Sequence, residues 1–415
     1  MTYDDTEAVD ADCGRGLGTA LEHFGEDDMN WSIGTMPISR AMMCVVVLLQ
    51  LSLRPSILSA QSPLQVGPRV NDVASAVDTS NRGTFISARV QTLSPAPEGT
   101  FSIVVIPDTQ RYIKQDVGTE GKSRIVNTVL DNHTRWIIDN IASQRIVFVS
   151  HVGDVVEDNS TKHWEVARRC LDRLHGRIPY GISVGNHDMK DSGDASLFQR
   201  YFPRSRFQNF SWYGGSFDPD RRKKKVSGNN VNSFQLFTAE GLDFIALHLE
   251  CNAPDDVLAW ADRVLKLYAH RRAFVTTHMG LGPIDKPKKE RDFFETPKGR
   301  MRWSKIHGKK GNTPQQMWAK CFSKHKNLFM ICSGDQSRTT AMTRISRGAN
   351  GNTVFELLSD YTSSGPLRIY RFQPPLNRIR VITYDTTRGA LCEFHKNVPD
   401  RTEHQFILKY SMSRD

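Results

Sequence analysis

From Phe101 onward, short continuous apolar runs alternate with stretches in which apolar residues recur every three or four positions. The first run, Phe101 to Pro107, reads as a buried strand that ends in Asp108. Asn127 to Ala142 follows helical spacing, with Val126, Leu130, Ile137 and Ile141 on one stripe. Ile146 to Ser150 is a second strand and leads into Gly153-Asp154. His163 to His175 is helical, with Trp164, Ala167, Leu171 and Leu174 facing inward. Tyr180 to Val184 is a third strand and leads into Gly185-Asn186-His187-Asp188. This β-α-β-α-β order predicts parallel strands joined by crossover helices. In such sheets ligands gather outside the carboxyl ends of the strands.

The second half repeats the pattern with more antiparallel signs. Strands are expected at Ser233–Phe237, Phe244–Leu249 and Ala273–Thr277, the last running into His278. A helix is expected from Asp256 to Tyr268. Another starts at Thr313-Pro314-Gln315-Gln316: Thr313 caps, Pro314 suits the first helical position, and Gln316 closes a capping box. Leu328–Cys332 is a strand leading into Gly334. Thr353–Leu358, Leu367–Phe372 and Arg378–Tyr384 read as a closing β-meander. No internal repeat is present.

The first hundred residues have a different texture. Residues 1–35 are acidic and without periodicity. Met36-Pro-Ile-Ser-Arg40 then leads into the apolar stretch Ala41 to Leu53 and the small residues near Leu58-Ser59-Ala60. A basic start, a short apolar centre and a small-residue end describe a secretory signal peptide, and the run is short for the roughly 20 residues of a membrane span. The expectation is an N-terminal extension and signal-like segment over 1–60, with Met36 as the true start and cleavage near Ala60. A Ser-, Pro- and Asn-rich linker over 61–99, a folded domain over 100–395 and a tail over 396–415 complete it. The exported protein is then secreted or periplasmic, with no membrane span after cleavage.

The 415 residues, 39% of them hydrophobic, suffice for a substantial core. The net charge is +10 and is unevenly placed. Between Met279 and Asn312 there are ten Lys or Arg against four Asp or Glu, and a second cluster is Arg221-Arg222-Lys223-Lys224-Lys225. Such segments are solvated loops or they steer an anionic substrate. Seven scattered cysteines show no zinc-like spacing; Cys170 and Cys321 fall on apolar helix faces and read as buried thiols.

The residues that end the strands carry chemistry. Carboxylate, amide and imidazole groups at strand ends are metal-ligand types, and a bound metal ion generates a nucleophile from water and neutralises charge. Asp108 and Gln110 are two apart, so both can point to one side of an extended segment. Asp154 ends another strand and is the candidate bridging carboxylate. Asn186 offers an amide oxygen and His278 an imidazole nitrogen. Any one of these alone reads as a turn residue or helix cap; the ordered set does not. His151, before Gly153-Asp154, reads as a packing or supporting residue.

In order and spacing, Asp108-Thr109-Gln110, Gly153-Asp154, Gly185-Asn186-His187-Asp188 and Thr277-His278 resemble the calcineurin-like metallophosphoesterases over roughly residues 100 to 385. The resemblance implies an α/β sandwich of two mixed β-sheets flanked by helices. It implies two divalent metals: one held by Asp108 and Gln110, the other by Asn186 and His278, with Asp154 shared. His187 would stabilise the transition state or protonate the leaving oxygen, and Asp188 would hold its imidazole in one tautomer.

Two departures stand out. Gln110 takes the place of the usual histidine in the first motif. Gly334-Asp335-Gln336-Ser337 stands where the family has Gly-His-x-His, so Asp335 becomes a carboxylate candidate ligand and Ser337 a poor one. The ligand set moves from nitrogen toward oxygen, which suits Mn²⁺, Mg²⁺ or Ca²⁺ over Zn²⁺. One firm site and one weaker site are expected, filled by Mn²⁺ or Fe²⁺. The expected partner is an anionic phosphate-ester substrate, a phosphomonoester or a phosphodiester. Phe293, Phe294 and Trp303, interleaved with the charges of the Lys286–Lys310 insert, leave a nucleotide or nucleic acid open. No specific protein partner is read. The competing reading is a degenerate domain that binds phosphate or polyanions without hydrolysing them.

Overall fold

Alternation along the Phe101–Ile106 strand decides the architecture. Phe101, Ile103 and Val105 join one apolar cluster with Phe148, Phe237, Phe244, Phe274 and Phe355. Val104 and Ile106 point the other way, into a cluster with Leu130, Ile137, Trp164 and Ala167. A strand buried on both faces must lie inside a sheet that is covered on both sides. A third cluster joins Ile245, Leu247, Val275 and Ile331 to Val257, Ala261, Leu265 and Met317. The result is four layers: helices, sheet, sheet, helices. This is the α/β sandwich of two mixed sheets that the sequence implied.

The structure is a computed structural model that describes residues 93–117, 122–219, 225–284, 296–361 and 364–413. The Met36–Ala60 pattern, Arg221–Lys224, the Lys286–Lys289 run, Phe293 and Phe294 lie outside the described residues. Among the described residues no helix is long and apolar enough to cross a membrane.

The first seven-stranded sheet is ordered Ala390–Leu391, Arg378–Asp385, Pro366–Gln373, Phe101–Ile106, Ile146–His151, Tyr180–Ile182, with Gln405–Lys409 also pairing with Arg378–Asp385. Phe101–Ile106, Ile146–His151 and Tyr180–Ile182 are parallel. The second is ordered Ala341–Arg347, Thr353–Ser359, Leu328–Ser333, Arg272–Thr277, Leu242–Leu249, Ser233–Ala239, Tyr213–Ser216. Its four central strands, Thr353–Ser359 through Leu242–Leu249, are parallel. Each sheet therefore gathers the carboxyl ends of its parallel strands at one edge. Aromatic rings fill the space between the sheets: Phe101 stacks on Phe372 at 4.7 Å and Phe148 on Phe237 at 4.8 Å. Such pairs contribute about 0.5–1.5 kcal/mol beyond area burial.

The helices start where side chains can take up orphan backbone N–H groups. Asn127 caps Thr128–Asn140 by accepting from the Leu130 N–H. Ser160 caps Thr161–Leu171 through the His163 N–H. Thr313 and Gln316 form the expected capping box at the start of Pro314–Lys320.

Three sequence expectations need correction. Thr353–Ser359 is not part of a meander with the strands after it; it runs parallel to Leu328–Ser333 in the second sheet, while Pro366–Gln373 crosses to the first. Left-handed backbone at Tyr361 (φ 53°) and Gly365 (φ 114°) turns the chain between sheets. The 396–415 segment is not a bare tail, since Gln405–Lys409 adds a strand and Phe406 and Leu408 enter the inter-sheet core. Ordered packing also begins before Thr100: Ala96 is buried and its N–H donates to the Ser143 carbonyl at 2.8 Å. The five described cysteines are buried, free thiols.

Candidate functional site

Seven side chains of interest follow directly from parallel strand ends. Asp108 follows Phe101–Ile106, Asp154 follows Ile146–His151, and Asn186 and His187 follow Tyr180–Ile182. His278 follows Arg272–Thr277, Asp335 follows Leu328–Ser333, and Asp360 follows Thr353–Ser359. The loops are sewn together by their backbones. The Thr109 N–H donates to the Asp154 carbonyl (3.0 Å), that of Val152 to Ile106 (3.1 Å), and that of Gly334 to His278 (2.8 Å). His151 joins the first two motifs: Nε2 lies 3.0 Å from Thr109 Oγ1 and Nδ1 accepts from the Gly153 N–H at 3.1 Å. Burial pushes its imidazole down to about 3, so it stays neutral and keeps both contacts.

Asp154 and Asp335 themselves have left-handed backbone, with φ of 50° and 67°. For a residue with a Cβ this costs about 1–2 kcal/mol, a strain typical of functional turns. Gly153 (φ 108°) has no alternative, because a Cβ there would come within 2.9 Å of His278 Nδ1 and the Gly185 nitrogen.

The strain brings ligand-type atoms together. One donor atom each from Asp108, Asp154 and His278 lies within 4.8 Å of the others, and all three side chains are buried. His278 Nδ1 faces the Val152 carbonyl at 3.2 Å. A carbonyl only accepts, so Nδ1 carries a proton, and Nε2 is the ring nitrogen turned inward. Nε2 lies 3.1 Å from Asp154 Oδ1 and 4.0 Å from Asp108 Oδ2, yet it lines up with neither as a hydrogen bond. Asn186 Oδ1 and Gln110 Oε1 are also buried without a hydrogen bond, and Gln110 Nε2 donates to Asp154 Oδ2 at 3.2 Å.

The charges are out of balance without a cation. Burial, then the nearby Asp360 carboxylate, pushes the Asp108 carboxyl well above its ordinary range. Burial also acts upward on Asp154, but the His278 imidazole and the His187 N–H outweigh it and hold that carboxyl down. Orphaned acceptors, crowded carboxylates and an inward-facing imidazole nitrogen fit a divalent cation, whose ligands sit at about 2.0–2.6 Å and hence within about 5 Å of each other.

Asp335 sits apart from this trio. Its Oδ1 is 3.7 Å from His278 Nε2 but accepts from Lys305 Nζ at 2.8 Å, and Oδ2 accepts from Gln336 Nε2 at 2.9 Å. Its own N–H donates to Asp108 Oδ2 at 3.1 Å. Lys305 belongs to the basic insert, and two anchors bring it here. Asn252 Oδ1 accepts from the Lys305 N–H at 3.0 Å. Arg300 pairs in a fork with the buried Glu356 at 2.7 and 3.0 Å and lies 3.8 Å over the Trp318 ring. Ser337 does not join the cluster; it is exposed and lines a neighbouring cavity.

The role read for Asp188 needs correction. Its Oδ2 accepts from the Gly185 N–H (2.8 Å) and its Oδ1 from the Val156 N–H (3.0 Å). It therefore fixes the loop that presents Asn186, and does not hold the His187 ring. The Glu157 carbonyl does that, 2.8 Å from His187 Nδ1. The His187 N–H donates to Asp154 Oδ1 at 2.9 Å. Burial lowers the His187 imidazole, but the Asp154 charge and the Glu157 carbonyl overcome it and raise it above the ordinary value.

Asp360 and Lys305 were not singled out as site residues. Asp360 obeys the same strand-end rule as the others. Lys305 had no local signal beyond its place in a basic stretch.

The model of the calcineurin-like phosphoesterase family matches residues 101–308, half of the chain. The uncharacterized protein YvnB of Bacillus subtilis (strain 168) is 26% identical over 316 residues, which are 73% of this chain and 21% of that protein. The chain thus spans about a fifth of that curated relative's length. Among solved structures, the purple acid phosphatase PPD1 of yellow lupin is 10% identical, with a TM-score of 0.45 over 77% of this chain and 56% of that one. The NAD nucleotidase of Haemophilus influenzae is 12% identical, with a TM-score of 0.39 over 66% and 53%. The family match covers the strand ends from Asp108 to His278, where the buried Asp and His cluster is built, and the chain belongs to the calcineurin-like phosphoesterase family.

Proposed function

We propose that this chain hydrolyses a phosphate mono- or diester with a divalent cation held by Asp108, Asp154 and His278, with Asn186 and Gln110 as further oxygen ligands. The observation that carries the reading is the set of inward-facing atoms without hydrogen bonds beside two buried carboxylates. The bound cation supplies Lewis-acid charge to the phosphoryl oxygens and makes a nucleophile available from water. The protein residues do the rest. Asp188 fixes the Gly185–His187 loop, and the Gly185 backbone closes on Asp154: a Cβ at Gly185 would lie 2.2 Å from Asp154 Oδ1. His187, with Nδ1–H donated to the Glu157 carbonyl, turns Nε2 toward substrate. Its raised basicity keeps it protonated to higher pH than an ordinary histidine, so Nε2–H can pass its proton to the leaving oxygen as the P–O bond to that oxygen breaks.

The donor set holds one imidazole against four oxygens, which favours Mn²⁺, Fe²⁺ or Mg²⁺ over Zn²⁺. One firm ion and one weak ion are proposed, because both Asp335 oxygens are engaged by Lys305 and Gln336. That engagement is also what favours the second reading, a domain that binds phosphate without turnover. Elemental analysis after dialysis against Mn²⁺ is expected to give one ion per chain, rising toward two when Asp335→His is combined with Lys305→Ala. Two tightly held ions in the parent contradict the proposal. Export is proposed from the Met36–Ala60 pattern; N-terminal sequencing of the native protein gives a start near Gln61 if it holds.

A further inference from the structure

A cavity of about 470 Å³ opens beside the candidate metal centre, lined by Arg111, Arg338, Lys396, His395, Ser337 and Tyr361 among others. Three of its walls are the same loops that present the site. Arg111 follows Gln110, Ser337 and Arg338 follow Asp335 by two and three positions, and Tyr361 follows Asp360. The fourth wall, 395–397, is tied to the Asp335 loop: Asn397 Nδ2 donates to the Ser337 carbonyl at 3.1 Å. His395 crosses the Tyr361 ring edge-on at 5.8 Å and lies 3.4 Å from Ser364 Oγ.

The lining has one sign of charge. It includes three permanent cations and no carboxylate. Among the described residues no acidic side chain pairs with Arg338 or Lys396, whereas Lys305 and Arg300 nearby are each matched to one. Arg338 and Lys396, side by side at one concave space and without an acidic partner among the described residues, attract an anion, and a guanidinium group suits phosphate oxygens in particular. The volume falls in the small-molecule range of about 300–1,000 Å³.

We propose that this cavity binds a second phosphoryl group of the substrate, so that the substrate is a small molecule with at least two phosphates. The proposal rests on the phosphoesterase reading and adds to it a site for the phosphate that is not cleaved. Ser337 then has a use: the position lost as a metal-ligand candidate becomes part of the wall that receives the neighbouring phosphate. The substitution that weakens the second metal position and the basic pocket belong to one loop, Gly334–Arg338.

The test compares Mn²⁺-loaded parent with Arg338→Glu and, separately, Lys396→Glu. Steady-state kinetics are run on ADP and on p-nitrophenyl phosphate, which has one phosphate. The KM ratio of ADP to p-nitrophenyl phosphate is expected to rise roughly ten-fold or more in each variant, the size of a lost charge-assisted contact. Equal KM changes for both substrates, or none, overturn the proposal. Calorimetric titration with inorganic pyrophosphate reads the pocket without turnover. Binding weakened at least roughly ten-fold in both variants supports it, and unchanged binding overturns it even if hydrolysis is robust. If neither substrate is hydrolysed, the catalytic reading fails and the pyrophosphate titration alone decides the pocket. Single-stranded DNA that outcompetes pyrophosphate, with its binding lost in the variants, assigns the patch to nucleic acid and also overturns the proposal. Lys396→Glu serves where Arg338→Glu fails to fold, as far-ultraviolet circular dichroism shows.

Discussion

Asp154→Asn is expected to remove the bound cation and, with it, activity by on the order of 10³-fold or more. Asparagine is the informative substitution. Asp154 has a φ of 50°, a conformation that Asn tolerates better than Ala, so the variant tests charge without adding backbone strain. Asp154 makes three short contacts in the cluster: it is 3.1 Å from His278 Nε2, accepts from Gln110, and accepts from the His187 N–H. Its loss leaves Asp108 as the one remaining carboxylate of the trio.

The stability change has a sign of its own. In the metal-free protein Asp108 and Asp154 repel, and each raises the cost of charging its neighbour. At Asp154 burial and that repulsion are outweighed by the His278 imidazole and the His187 N–H, which hold its carboxyl down, so the metal-free variant is expected to be less stable than the metal-free parent. A cation that binds only the folded state stabilises it by about 2.7 kcal/mol at one hundred times its Kd. Thermal unfolding with and without Mn²⁺ should show a metal-dependent rise in Tm for the parent and little or none for Asp154→Asn. Equal rises would place the ion elsewhere.

His187→Ala is the second large effect, of a different kind. Removing a positioned general acid lowers kcat by about 10²- to 10⁴-fold, while metal content should stay at the parent's level. The reason is in the geometry. The contact between position 187 and Asp154 is made by the backbone N–H at 2.9 Å, which alanine keeps. The ring instead meets the Glu157 carbonyl. The loss should be largest for substrates with a poor leaving group, which need the proton most, and smaller for p-nitrophenyl esters. A variant that loses metal together with activity would make His187 a ligand and not a proton donor.

The strand-end logic was legible because it is local. A buried, β-branched run such as Phe101–Ile106 or Ile146–His151 says where a parallel strand stops, and the polar residue after it then projects at the sheet edge. That reasoning placed Asp108, Asp154, Asn186 and His278 at the same edge. It could not say which atoms they meet. Asp188 looked like a partner for His187 because it is next in sequence, but a side chain that short also reaches the backbone N–H groups of its own turn, and there it is fully satisfied.

Long-range choices were hidden for a related reason. Thr353–Ser359 and Pro366–Gln373 are both buried along nearly their whole length, so periodicity gives no hint that they enter different sheets. Gln405–Lys409 is a short edge strand with alternating exposure, and its pairing with Arg378–Asp385 is fixed by residues 23 to 31 positions away. Lys305 reaches Asp335 through anchors at Asn252 and Glu356, which lie about fifty residues away on either side. Nothing in the spacing of the basic insert encodes that closure. The Asp335 substitution was visible in the sequence; its consequence, a carboxylate tied to an ammonium beside the metal position, required the fold.

The central claim is that a cation at the Asp108, Asp154 and His278 cluster makes this chain a phosphoesterase. The most direct measurement is hydrolysis of a phosphate ester as a function of bound Mn²⁺, starting from chelator-treated protein, with Asp154→Asn measured in parallel. The account predicts no turnover in the stripped protein, turnover that rises in proportion to bound metal in the parent, and none in the variant. Full metal occupancy without turnover, or equal turnover in parent and variant, would contradict it.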